Sequence, residues 1–223
     1  MNAQPWPHAV FDDFLPKRVA ERTLDAFPNP DHSVWRDWRK KGATQYKKQG
    51  IGNVARPLRI DPFLEHVMGA FQSSAFLKFL EALTGIEKLL PDPHMHGGGL
   101  HQILPGGHLD MHTDFNLLNQ LDLYRRLNVL LYLNRNWKPD YDGALEMWDP
   151  DELRCVRTVE PLFNRLVVFI TDKRSLHGHP KPLKTPEGMT RKSLAFYYYT
   201  ARPASETLYD TRTDWHITDR EGG

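Results

Sequence analysis

The chain has 223 residues, a formal net charge of +1 and one cysteine. Its length suits one unit with a sizeable core, and its near-neutral charge argues against an electrostatic footprint for nucleic acid or an anionic membrane. The lone Cys155 excludes an internal disulfide framework and fits a reducing, cytoplasmic setting, and neither a signal peptide nor an apolar membrane span is read.

Apolar residues at Val19, Ala20, Leu24 and Phe27 repeat at helical spacing, so Pro16 to Phe27 predicts a helix closed by Pro28. Asp31 to Gly52 is polar and basic and carries Trp35, Trp38 and Tyr46. It reads as a loop or short strands able to cover a site, and its charge run from Arg36 to Lys48 reads as a solvated face. Asp61 to Leu83 predicts the strongest helix, with Asp61 as N-cap, Pro62 at the first helical position and an end near Gly85.

After Pro91 short β-type runs alternate with turn residues. Strands are expected over Gly99 to Leu104, Leu127 to Leu133, Gly143 to Trp148, Arg165 to Ile170 and Ser193 to Thr200. That spacing points to a double-sheet jelly roll or barrel. The expected class is α+β, mainly β, as one unit over 1–223: a helical N-terminal region (1–94), a β core (95–202) and a tail (203–223). Cys155 reads as a buried structural thiol. Gly97-Gly98-Gly99 reads as a turn or bulge. The run Phe196 to Tyr199 reads as strand packing, with Tyr197 sharing the parity of Arg191 and Ser193.

Three pieces carry chemistry: His112-Thr113-Asp114, His177 and Arg191. In a strand, residues i and i+2 project to one face, so His112 and Asp114 can reach one metal ion. A third ligand, His177, can approach from a neighbouring strand. Two imidazoles and a carboxylate with open positions suit non-haem Fe(II). Spacing leaves a second pair open, since His108-Leu109-Asp110 has the same form and parity, and His179 competes with His177.

Beyond these pieces, an ordered set of patterns resembles the iron(II)- and 2-oxoglutarate-dependent oxygenases, in the prolyl-4-hydroxylase-like branch. Gly107 to Asp114 looks like that family's first metal motif. Arg126 to Asn134 with Trp137, Gly143 to Met147 and Asn164 to Phe169 look like its following strands, with Ala144 standing where the family has a second glycine. Ser175-Leu176-His177-Gly178 and Thr190-Arg191-Lys192-Ser193 look like its distal histidine and cosubstrate motifs. The resemblance covers about residues 95 to 202 and implies a double-stranded β-helix (jelly-roll) core.

Carried over residue by residue, the resemblance makes His112, Asp114 and His177 the iron ligands. It implies that Arg191 meets the distal carboxylate of 2-oxoglutarate, helped by Tyr132 and Ser193. It further implies hydroxylation of a C–H bond in a peptide, amino acid or other small molecule, release of succinate and CO2, and ascorbate as a candidate reductant. Two other readings of the residues are a metal-dependent hydrolase or isomerase on a cupin-like barrel and a non-catalytic jelly-roll binding module. Arg191 argues against the first, and the intact ligand set against the second.

Overall fold

The computed structural model describes residues 1–38, 44–52, 60–203 and 212–216. Residues 39–43 of the segment expected to cover a site, and most of the expected tail, lie outside this set.

Three helices, α1 (Lys17–Asp25), α2 (Pro62–Phe71) and α3 (Ser74–Thr84), precede most of the strands. The strands are β1 (His8–Phe11), β2 (Arg36–Trp38), β3 (Gln45–Ile51), β4 (Leu90–Pro91), β5 (Gly99–Thr113), β6 (Leu117–Leu118), β7 (Leu123–Tyr132), β8 (Leu145–Asp149), β9 (Arg154–Val159), β10 (Arg165–Ile170), β11 (His177–His179), β12 (Arg191–Ala201) and β13 (Asp214–His216). They form one antiparallel sheet that curls on itself in the order β1-β10-β7-β12-β5-β11-β8-β9, with β3 and β13 also pairing β5. The jelly-roll class read from the sequence is therefore the observed one.

Alternation along the strands divides the molecule into layers. Leu127, Val129 and Leu131 of β7, Leu194 and Phe196 of β12, and Leu166 and Val168 of β10 face Leu64, Phe71 and Leu80 of the helices. Phe71 stacks on Phe196 with ring centroids 4.5 Å apart. Val167 and Phe169 of β10, with Tyr132, turn to the opposite face and pack with Trp6, Leu145 and Met147 inside the curl. Asn128, Leu130, Tyr132, Arg191, Ser193, Ala195 and Tyr197 share that inner face and line a cavity. A period of two in the sequence thus separates the core from the site.

The fifteen-residue β5 joins the two halves of the curl. Leu100 to Ile103 pair with β12 on one side and β3 on the other, whereas His112 pairs with His177 of β11. Between them the strand bends at Gly106, which has φ +77°, and at Gly107, where a Cβ would lie 2.6 Å from the Ile103 side chain.

Three local expectations change. The helix predicted over Asp61 to Leu83 is two helices, because Ser73 caps α3 through Phe76 N (3.3 Å) although the apolar spacing runs through the break. The cap at Asp61 and the left-handed stop at Gly85 are as expected. The basic segment before Gly52 contributes a true strand, β3, whose polar residues face the cavity and not only solvent. Cys155 is exposed rather than buried, since β9 lies at the edge of the sheet with both faces largely open.

Candidate metal centre

His112 and His177 are direct cross-strand partners on β5 and β11, with ring centroids 4.4 Å apart. Asp114 follows the end of β5 and turns its carboxylate between them. Its Oδ1 lies 3.8 Å from His112 Nε2, and its Oδ2 lies 3.5 Å from His177 Nε2. One ligand atom from each of the three falls within 4.8 Å of the others. Each imidazole is oriented from behind: His112 Nδ1 donates to Asp110 O (2.8 Å) and His177 Nδ1 to Ser175 O (2.7 Å). A carbonyl can only accept, so these bonds place the proton on Nδ1 and leave both Nε2 lone pairs facing the carboxylate.

The protonation states suit a cation. Burial, with the neighbouring His177, pushes the His112 imidazole down to about 3, and burial also lowers His177. Burial alone would raise Asp114, but the Arg125 guanidinium and both histidines outweigh it and hold the carboxyl below its ordinary range. At neutral pH the three groups are two neutral imidazoles and a carboxylate, a donor set that fits a divalent first-row metal without prior loss of a proton.

Two residues that the sequence reading did not single out hold Asp114. Arg125, fully buried on β7, donates to Asp114 Oδ2 at 2.9 Å, and Asn128 Nδ2 donates to the same oxygen at 2.7 Å. Arg125 lies against the Tyr197 ring, with its guanidinium carbon 3.5 Å from the centroid. Trp215 of β13 covers His112 on the other side, at 4.8 Å between rings.

Spacing alone could not choose between His108/Asp110 and His112/Asp114, and a β-bulge sets which of the two pairs faces the cavity. His177 pairs with His112 but His179 pairs with Leu109, so β5 carries an extra residue between the two pairings. Leu109 and His112 therefore share the cavity face, and His108 and Asp110 are buried outside its lining. His179 does line the cavity. It is 2% exposed, and neither ring nitrogen has a hydrogen-bond partner among the described residues.

The cavity continues from the His112, Asp114 and His177 cluster to Arg191 and has a volume of about 310 Å³. Arg191 is buried; its Nε donates to Gly143 O (2.6 Å) and its Nη2 to the Tyr132 hydroxyl (3.1 Å). No described carboxylate forms an ion pair with it. A buried guanidinium held in place by neutral acceptors is matched to a carboxylate arriving from outside the protein. Ser193 lies two residues from Arg191 and directly opposite Tyr132 on β7.

Residues 98–199 match the model of the 2OG-Fe(II) oxygenase superfamily. These residues are similar to a 2OG-Fe(II) oxygenase core. Within it fall His112, Asp114, His177, Arg191, Tyr132 and Ser193, together with Arg125 and Asn128. The chain is also similar in sequence to the prolyl hydroxylase EGLN3 of Mus musculus, with 30% identity over 82 residues, 37% of this chain and 32% of that protein. The human EGLN3 is 29% identical over the same length. The chain thus matches only about a third of the length of these curated relatives. In fold it is similar to a Pseudomonas putida prolyl-4-hydroxylase, with TM-score 0.59, 18% identity and coverage of 88% of this chain and 94% of that one. HygX from Streptomyces hygroscopicus, crystallised with nickel, 2-oxoglutarate and hygromycin B, aligns with TM-score 0.53, 12% identity and coverage of 94% and 93%.

Proposed function

We propose that this protein is an Fe(II)- and 2-oxoglutarate-dependent dioxygenase that hydroxylates an unactivated C–H bond. The observation that carries this reading is one cavity with a two-histidine, one-aspartate cluster at one end and the buried Arg191 at the other. His112, Asp114 and His177 would hold the iron and leave three adjacent positions open. Arg191 would grip the distal carboxylate of 2-oxoglutarate, with the Tyr132 hydroxyl fixing the guanidinium and Ser193 beside it. His179, with two unpartnered ring nitrogens on the cavity wall, adds polar contacts there.

Bound iron and cosubstrate would supply the oxidising power, one oxygen atom of O2 entering succinate (with loss of CO2) and the other entering the substrate as a hydroxyl group. The chain's own work is placement. Arg191 orients the cosubstrate along the cavity, Arg125 and Asn128 keep Asp114 in position, and Trp215 shields His112 from solvent.

A cavity of about 310 Å³ lies at the small end of ligand pockets. With the cosubstrate inside, it admits a side chain, a ring or a comparably small group. This accords with a peptidyl, amino-acid or other small-molecule substrate, and the similar proteins include a prolyl hydroxylase from Trichoplax adhaerens crystallised with a hypoxia inducible factor peptide fragment. The test is incubation with Fe(II), O2 and labelled 2-oxoglutarate. Succinate formation is expected, and a mass-spectrometric screen of peptide and metabolite pools should find a product gaining one oxygen only when 2-oxoglutarate is present. No succinate from metal-loaded, folded protein would overturn the reading.

A further inference from the structure

One buried side chain of the cavity wall has no partner of its own. His179 is 2% exposed and lines the cavity, and both Nδ1 and Nε2 lack a hydrogen bond among the described residues. Leaving a buried polar atom unpaired is costly, and on a cavity wall such an atom is matched to a polar atom of a ligand. In either neutral tautomer the imidazole carries one N–H to donate.

Sheet register places His179 between the two ends of the site. Along β5, Ile103, Leu109 and His112 line the cavity in that order. Ile103 pairs with Arg191, Leu109 with His179 and His112 with His177. The chain leaving β11 continues along β5 toward Arg191: Gly106 N donates to Leu183 O (2.8 Å) and Leu183 N to Gly107 O (3.0 Å). A Cβ on Gly143 would lie 2.3 Å from the Leu183 side chain and 3.3 Å from that of Arg191, so Leu183 sits beside the anchor of the guanidinium. His179 therefore stands on the wall that runs from the metal cluster to Arg191. Gly178 holds it close to β5, where a Cβ would lie 2.7 Å from Asp110 O.

A cosubstrate spanning that wall has oxygen atoms only at its two ends. Those of the 2-oxo end face the metal. The distal carboxylate offers about four lone-pair sites, while Arg191 has already committed Nε to Gly143 O and one Nη2 hydrogen to Tyr132. We infer that His179 donates a further hydrogen bond to the distal carboxylate of 2-oxoglutarate and so selects it over 2-oxo acids that lack this group. This rests on the oxygenase reading and adds to it a residue that sets cosubstrate specificity.

The test needs no knowledge of the natural substrate. Protein loaded with Mn(II) is titrated with 2-oxoglutarate and with 2-oxopentanoate, which carries a methyl group in place of the distal carboxylate. Relaxation of water protons by the bound Mn(II) reports binding of either acid as it displaces water from the metal. His179→Val should weaken 2-oxoglutarate roughly tenfold, the worth of one hydrogen bond to a charged group, and leave 2-oxopentanoate and Mn(II) binding unchanged. His179→Gln, which keeps an N–H, should restore most of the loss. Unchanged 2-oxoglutarate affinity in His179→Val would overturn the inference. So would equal losses for the two acids, or no recovery in His179→Gln, since either would assign His179 to packing. A fall in Mn(II) affinity would overturn it as well, by assigning His179 to the support of His177. Failure of the wild-type protein to bind 2-oxoglutarate at all would remove the oxygenase reading itself, a result distinct from any of those in the variants.

Discussion

Replacing Arg191 with Met keeps the length of the side chain and removes its charge. In the wild type the guanidinium is held by the Gly143 carbonyl and the Tyr132 hydroxyl, so it meets a ligand carboxylate already oriented. Leaving a buried carboxylate without its cationic partner costs about 3–5 kcal/mol. At 1.4 kcal/mol per factor of ten, that weakens 2-oxoglutarate binding by roughly a hundredfold to several thousandfold. The variant also strands the Gly143 oxygen and the Tyr132 hydroxyl, at a cost of about 1–3 kcal/mol each in stability where they stay dry. Tyr132→Phe removes a single neutral partner of the guanidinium, for about 1 kcal/mol, or roughly fivefold in cosubstrate affinity. Calorimetric titration of 2-oxoglutarate into Mn(II)-loaded protein measures both effects, and electron paramagnetic resonance of free Mn(II) measures metal affinity separately. Cosubstrate affinity within threefold of wild type in Arg191→Met would refute the reasoning, as would a parallel loss of Mn(II).

Three further outcomes are expected. Arg125→Met should destabilise the metal-free protein by about 3–5 kcal/mol, since it leaves the Asp114 carboxylate buried without its cation; thermal denaturation should show a smaller loss when saturating Mn(II) supplies compensating charge, and equal losses would show that Arg125 acts only through packing. The metal-free protein should lose stability as pH falls below about 6.5, because the unfolded chain then takes up protons that buried His112 and His177 do not accept. Each such histidine contributes a slope of up to about 1.4 kcal/mol per pH unit, continuing for His112 toward about 3, and a flat melting temperature from pH 7.5 to 5 would contradict this. Cys155 should react fully with a thiol reagent in the folded protein and leave 2-oxoglutarate binding unchanged; protection until unfolding would restore the buried assignment.

Much of this arrangement was legible in the residues. The alternation in Leu127 to Tyr132 and in Arg191 to Tyr198 specifies which side chains meet the helices and which enter the cavity. Tyr132 and Arg191 fall on the inner face, where the resemblance puts cosubstrate residues. Parity failed at β5, because one bulged residue between the His177 and His179 pairings reverses the facing of everything beyond it. The Arg125–Asn128 clamp was missed for a different reason. An arginine in a strand reads as solvated, and only the fold shows that this one is fully buried on the Asp114 carboxylate. The same holds for Lys48, whose place in a basic run gave no sign that β3 completes the cavity wall. Trp6 and β1, which close the far edge of the sheet on β10, carry too few residues to show a period.

The central claim is that His112, Asp114 and His177 present one metal to a cosubstrate anchored by Arg191. Its most direct test is anaerobic titration of the Fe(II)-loaded protein with 2-oxoglutarate, followed by visible absorption. A metal-to-ligand charge-transfer band is expected to grow to a one-to-one end point in the wild type. The band should be absent in His177→Ala, and in Arg191→Met it should need far more 2-oxoglutarate. A wild-type protein that binds Fe(II) and develops no such band, or a band that persists unchanged in His177→Ala, would contradict the account.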